Sequence, residues 1–294
     1  MTQLYTSLVN AFGVAVNMFL VWLSLNRSPP AMGRYKYMIC TSACVNIFYT
    51  IVHELVGMRY AMFNGILEMA YAGYLPLSNA TAQWLLFLYM ELLALIQVIT
   101  SLHFYFRYAT VCRPDWLRSW RMNACPVLFG IAVLVSWTNC VLGHMTPGDD
   151  PRRASYRFQL SVLNPGFLCG LLVISMSFCL LGSILIIHTI RSLPGDSAAK
   201  KMQWHCPNPV QFIVPFLMFN VCLVGIAVGA SFLDSGIPRW ALALIEHCET
   251  LLPIADPLFF IFFVSSYRNS LRQITRVKKG SVINITTTTT TTTF

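Results

Sequence analysis

Seven long apolar segments separated by short polar loops restrict this chain to a helical bundle in a lipid bilayer. They run over residues 5–25, 37–57, 84–106, 124–144, 166–190, 209–232 and 241–264. Each is long enough to cross about 30 Å of hydrocarbon as a helix. Backbone N–H and C=O groups find no water at that depth, so each span must satisfy them internally, which a helix does. The expected fold is an all-α, seven-helix membrane bundle. With 56% hydrophobic and 11% charged residues, the chain has the composition of an integral membrane protein.

The basic residues orient the bundle. Arg27, Arg34 and Lys36 follow the first span, and Arg107, Arg113, Arg118 and Arg121 follow the third. Arg191, Lys200 and Lys201 follow the fifth, and Arg268, Arg272, Arg276, Lys278 and Lys279 follow the seventh. All of these fall on one face. The other face has Arg59, Arg152, Arg153, Arg157 and Arg239. Basic loops stay cytoplasmic during insertion, so the N-terminus is expected outside and the C-terminus inside. A net charge of +9 beside membrane spans points to anionic lipid rather than nucleic acid as the partner. Residues 1–8 lack the basic start of a cleavable signal, so the first span is expected to remain as an anchor.

The organisation follows from the spans. Residues 1–264 form the seven-helix domain. Over 265–280, Tyr267, Leu271, Ile274 and Val277 recur at helical spacing among basic residues, the pattern of an amphipathic helix on the inner membrane surface. Residues 281–294, with threonine from Thr286 to Thr293, are expected to be disordered. Cysteines in or near the spans give no disulfide framework, Cys140 with Cys169 being the one plausible pair. Of the sequons at Asn26, Asn79 and Asn284, only Asn79 is on the expected outer side, which makes it the glycosylation candidate.

Ser28-Pro29-Pro30-Ala31-Met32-Gly33-Arg34-Tyr35-Lys36-Tyr37-Met38 joins the first two spans, and His103-Phe104-Tyr105-Phe106-Arg107-Tyr108 ends the third. Asp256-Pro257-Leu258 with Tyr267-Arg268 ends the seventh, and Gln203, Gln211 and Pro215 are spaced around the sixth. Together these four sets of landmarks resemble the nematode serpentine chemoreceptors of the Str group. The resemblance implies a G-protein-coupled, olfactory-type receptor and not an enzyme. It would sit in the plasma membrane of sensory cilia, bind a small odorant-like molecule and activate a heterotrimeric G protein. Arg107, Tyr108, Lys200 and Lys201 would meet that G protein. Phe106 precedes Arg107 and residues 198–205 hold no carboxylate, so no ionic restraint on Arg107 is expected. Pro207 and Pro209 depart from the family where the sixth helix should begin, because proline breaks the helical hydrogen-bond ladder.

Ionisable side chains inside a bilayer cost about 2.5–3.5 kcal/mol each on insertion scales, and so face the bundle interior. Glu246, Glu249, Pro253 and Asp256 form one stripe on the seventh span. Tyr89, Glu91, Glu54, His53, Asn220 and Glu249 lie toward the outer halves of their spans and are the candidate ligand contacts in a largely apolar pocket suited to a small, weakly polar molecule. Asn17, Asn46 and Asp256 lie at similar depth, and with Pro253, Pro257 and Pro215 make a candidate activation network. No cofactor or metal is expected. All five lysines are outside the spans, which excludes a retinal Schiff base, and the six histidines are scattered singly. The competing reading is a transporter or ligand-gated channel, since intramembrane carboxylates also build ion paths.

Overall fold

A computed structural model describes residues 2–28, 32–33, 35–63, 66–112, 115–116, 119–147, 155–159, 239–264 and 267–272. The element order is α1 (Thr2–Asn26), α2 (Tyr35–Val56), β1 (Arg59–Phe63), β2 (Ile66–Ala70), α3 (Asn79–Cys112), α4 (Trp120–His144), β3 (Met145–Pro147), β4 (Ser155–Gln159) and α5 (Arg239–Phe263). A further helical turn covers 267–272. The fifth and sixth expected spans, with Asn220, Pro215, Pro207, Pro209, Lys200 and Lys201, lie outside the described residues.

Among the described residues four helices are long and apolar enough to cross a membrane: 4–26, 35–56, 79–103 and 120–143. The helix expected as the seventh span is present as α5, 25 residues long, but carries Glu246, Glu249 and Asp256. Its length suits a crossing, while its three carboxylates require an interior face. With 34 residues α3 is about 51 Å long, well beyond the hydrocarbon thickness. It starts at a capped turn in which the Thr81 amide donates to Ser78 Oγ at 3.2 Å.

Helix α2 is the hub, packing against α1, α3 and α5, while α1 also meets α5 and α3 meets α4. Two apolar clusters result, one at each end of α2. Leu20, Leu23, Tyr35, Ile39, Phe260 and Tyr267 close one end, and Tyr49, Val52, Val56, Met69, Leu86 and Tyr89 close the other. Only 12% of the apolar window of α4 is covered, against 50% for α2, so the surface of α4 is left for lipid or for spans outside the described residues.

The all-α expectation needs correction. An antiparallel four-stranded sheet, in the order β1-β2-β4-β3, lies at the α2–α3 junction and draws in the chain after α4. The pairing of Phe63 with Ile66 leaves two residues, Asn64 and Gly65, between β1 and β2. Asn-Gly is the strongest short-range hairpin signal, because both residues accept the positive φ of a tight turn. Strands of five residues do not compete with spans of twenty in a hydropathy pattern, so the sheet is hidden there.

Only the start of the stretch after α5 lies within the described residues. Tyr267 is fully buried, with its hydroxyl 2.7 Å from Ser28 Oγ and 3.2 Å from Ser24 Oγ. This turn is therefore anchored to the α1–α2 junction through its first residue, while Arg268 and Arg272 stay exposed. The amphipathic pattern beyond 272 lies outside the described residues.

Candidate functional site

The site is built from the end of α2. Gly57 adopts φ 52, the left-handed conformation that ends helices at glycine. Its amide donates to the His53 carbonyl at 3.0 Å, and the Ala72 amide donates to the Val56 carbonyl at 3.2 Å. The reversal aims β1 back across the bundle, where Met58 and Met69 join the α2–α3 core and β1 meets α5. Arg59 and Tyr60 thereby reach the carboxylates of α5.

Glu249 is the centre. It is buried, and Tyr60 donates its hydroxyl to both carboxylate oxygens, at 2.8 and 2.9 Å. Tyr89 donates to Oε2 at 2.9 Å, and the Tyr49 hydroxyl lies 3.0 Å from that of Tyr89. One turn earlier, Glu246 accepts from the Tyr60 amide at 3.3 Å and pairs with Arg59 at 3.4 Å. Burial, and after it the Glu249 carboxylate, hold the Tyr60 phenol well above its ordinary pKa, so it remains a donor at neutral pH.

Beside this cage, His53 stacks on Tyr49 and packs against Tyr89, and its Nδ1 lies 3.2 Å from the Asn10 amide nitrogen. Glu54 accepts from Ser7 at 2.5 Å and from Asn10 at 2.6 Å. A cleft of about 130 Å³ opens between β1, α2 and α5, lined by His53, Glu54, Arg59, Tyr60, Glu246 and Glu249 among others. Its lining mixes carboxylates, imidazoles, a guanidinium and phenols with Met58, Ala72 and Ala243.

Four of the sequence-derived ligand candidates therefore gather here: Tyr89, Glu249, His53 and Glu54. Glu91 does not. It turns toward α4, where Thr138 donates to its Oε2 at 2.8 Å, because two residues beyond Tyr89 an α-helix has turned by about 200°. Sequence reading missed Tyr60, Tyr49, Asn10 and Ser7. Tyr60 is reachable only through the hairpin. Tyr49, by contrast, stands on a legible stripe of α2, with Ser42, Asn46 and His53 spaced by three or four residues.

Two turns beyond Glu249 on α5, Asp256 accepts from Ser42 at 3.2 Å, and Asn46 stands one turn further along the same stripe of α2. Asn17 reaches the backbone of α5, donating to the Pro253 carbonyl at 2.7 Å and to the Gly13 carbonyl at 2.8 Å. A Cβ on Gly13 would stand 3.1 Å from Ile254, so the missing side chain is what brings α1 this close to α5. Asn17, Asn46, Asp256, Pro253 and Pro257 are thus near neighbours.

At the far end, the sequence landmarks meet in space. Ser28 contacts Tyr267, Tyr35 lies 3.3 Å from His103 Nδ1, and His103 packs against Phe260. Arg107 and Tyr108 fall in the last turns of α3, at this same end. Asn79 begins α3 at the hairpin end and is exposed.

Apolar helices around buried, hydrogen-bonded carboxylates define a multi-pass helical membrane protein with an interior polar site. Residues 2–160, more than half of the chain, match the family model described as serpentine type 7TM GPCR chemoreceptor Str. The chain belongs to that chemoreceptor family. No curated protein matches it.

Proposed function

We propose that the chain is a seven-span chemosensory receptor that binds a small molecule in the cleft beneath the β1–β2 hairpin. Binding is signalled through a heterotrimeric G protein at the opposite end. The observation that carries this reading is the cleft itself, where Glu249, Tyr60, His53 and Glu54 converge from α5, β1 and α2. The excess of basic residues in the loops on the Arg107 side supports an outside hairpin and an inside Arg107. Arg107 and Tyr108, with Lys200 and Lys201, are the proposed G-protein contacts, and Asn79 the glycosylated residue. The ligand is small, and because the cleft is lined by His53, Glu54, Arg59, Tyr60, Glu246 and Glu249 rather than by the largely apolar surface expected from the sequence, it carries hydrogen-bonding groups. The receptor's place is the plasma membrane of sensory cilia.

The polar cluster of Asn46 and Asp256, with Asn17 on the adjoining carbonyl, is proposed to couple the cleft to α5, which its two prolines weaken. The test is a small-molecule screen in transfected cells with a second-messenger readout. A hit lost in a surface-expressed Glu249→Gln or Arg107→Ala variant supports the reading. A ligand-gated current that persists with G-protein signalling blocked overturns it in favour of a channel.

A further inference from the structure

The cleft and the proline-broken helix α5 share one hydroxyl proton with two acceptors. Proline has no amide hydrogen, so the carbonyl four residues before it loses its helical partner. In α5 this strands the Glu249 carbonyl, opposite Pro253, and the Pro253 carbonyl, opposite Pro257. Inside a membrane such groups are satisfied by side chains from neighbouring helices. Asn17 fills the second gap at 2.7 Å. The first is met by the Tyr49 hydroxyl, at 3.4 Å.

That Tyr49 hydroxyl also lies 3.0 Å from the Tyr89 hydroxyl. Each phenol has a single proton to donate. Tyr89 spends its proton on Glu249 Oε2, at 2.9 Å, so the proton between the two phenols belongs to Tyr49. With it pointed at Tyr89, the Glu249 carbonyl keeps only the longer contact. The two demands on Tyr49 exclude one another, and the state of Tyr89 decides which is met.

We propose that Tyr49 is a relay between the cleft and the helix break at Pro253. A group that satisfies Glu249 Oε2 in place of Tyr89 frees the Tyr89 proton to turn toward the Tyr49 oxygen. The Tyr49 proton then turns to the Glu249 carbonyl and closes the gap. No covalent bond changes; two hydroxyls rotate. In ligand terms the trigger is a small molecule presenting an N–H or O–H donor to Glu249, a statement that rests on the receptor reading above. Tyr49 acts through other groups and is a positioning residue.

Two measurements test this on the full chain. The first is thermal unfolding of the purified protein in detergent. Tyr49→Phe is expected to lower the midpoint by about 2–4 °C in the wild-type background and in Pro257→Ala. In Pro253→Ala, where the backbone amide returns to the Glu249 carbonyl, the loss should be smaller, leaving only the part owed to the Tyr89 contact. Equal losses in both proline backgrounds overturn the proposal.

The second is ligand-independent second-messenger output at matched surface expression. Tyr89→Phe removes the competing acceptor and Tyr49→Phe removes the donor, so the two should move basal output in opposite directions. The double variant should match Tyr49→Phe. Shifts in the same direction, additive effects or no shift at all overturn the relay. The stability cycle does not use Tyr89, so poor folding of Tyr89→Phe leaves the proposal open to refutation. An intact cycle in a protein that never couples to a G protein counts against the receptor reading instead.

Discussion

Replacing Gly57 by alanine isolates what holds the hairpin over the cleft. Two costs add. A non-glycine residue in the left-handed conformation loses about 1–2 kcal/mol. The new Cβ would also stand 3.0 Å from the Ala72 carbonyl oxygen, 3.1 Å from its carbon and 3.1 Å from Gly73 Cα. All three atoms are backbone, so relief requires moving the strand, at about 1–3 kcal/mol. Gly33 provides the control, since it has a similar φ of 50 but nothing within 4 Å of a built Cβ. Gly33→Ala should therefore cost only the conformational part, a drop of about 2–4 °C in the unfolding midpoint, against roughly 4–10 °C for Gly57→Ala. Thermal unfolding of the two purified variants in detergent, by intrinsic fluorescence, provides the comparison. Gly57→Ala should also blunt any ligand response, because Tyr60 and Arg59 move with β1. Equal losses at the two glycines would refute the argument that backbone crowding at Ala72 sets the hairpin's position.

Tyr60→Phe removes both hydroxyl contacts to Glu249 and should weaken the response to a cleft ligand about tenfold, the scale of one charge-assisted hydrogen bond. It bears on pH as well. The folded Tyr60 pKa lies above the unfolded value of about 10, so its contribution is complete below that pH and is lost as pH rises past it. Alkaline melts of Tyr60→Phe should accordingly fall less steeply than wild type. Tyr267→Phe, which strips the hydroxyl from the Ser28 and Ser24 contacts, should lower the midpoint by about 2–4 °C and loosen the turn after α5 in hydrogen exchange. Asp256→Asn should abolish signalling and Asn46→Asp should restore it, since the exchange returns one carboxylate to the contact with α2; absence of rescue argues against a shared network. Asn79→Gln should remove the endoglycosidase-sensitive shift on a gel, and modification mapped to Asn26 or Asn284 would reverse the proposed orientation.

Much of the helical frame was legible because hydrocarbon imposes a length. The expected spans at 5–25, 37–57, 84–106, 124–144 and 241–264 each correspond to a helix in the structure, with ends displaced by up to six residues. The largest displacement is at α3, whose polar ends leave the apolar run but continue the helix. The carboxylate stripe of α5 was legible for a related reason: three acids in an apolar helix must share a face. Their partners were harder to see. Asn46 with Asp256 follows from depth, since both elements have the same rise per residue. That Asn17 serves a backbone carbonyl beside them depends on how closely α1 approaches, which Gly13 permits and which no depth count reveals.

Sequence alone determined that this chain crosses a membrane, which residues are too polar to face lipid, and which landmarks tie it to its family. Those properties are carried by single residues and their spacing along one helix. Tertiary structure decided what the polar groups meet. Glu91 and Glu249 look alike in the sequence, yet one takes a threonine from α4 and the other three hydroxyl contacts from two tyrosines, one of them on a strand that hydropathy does not register. The difference arises because a hydrogen bond requires placement within a few tenths of an ångström, and helix packing together with the reversal at Gly57 sets that placement across distant parts of the chain.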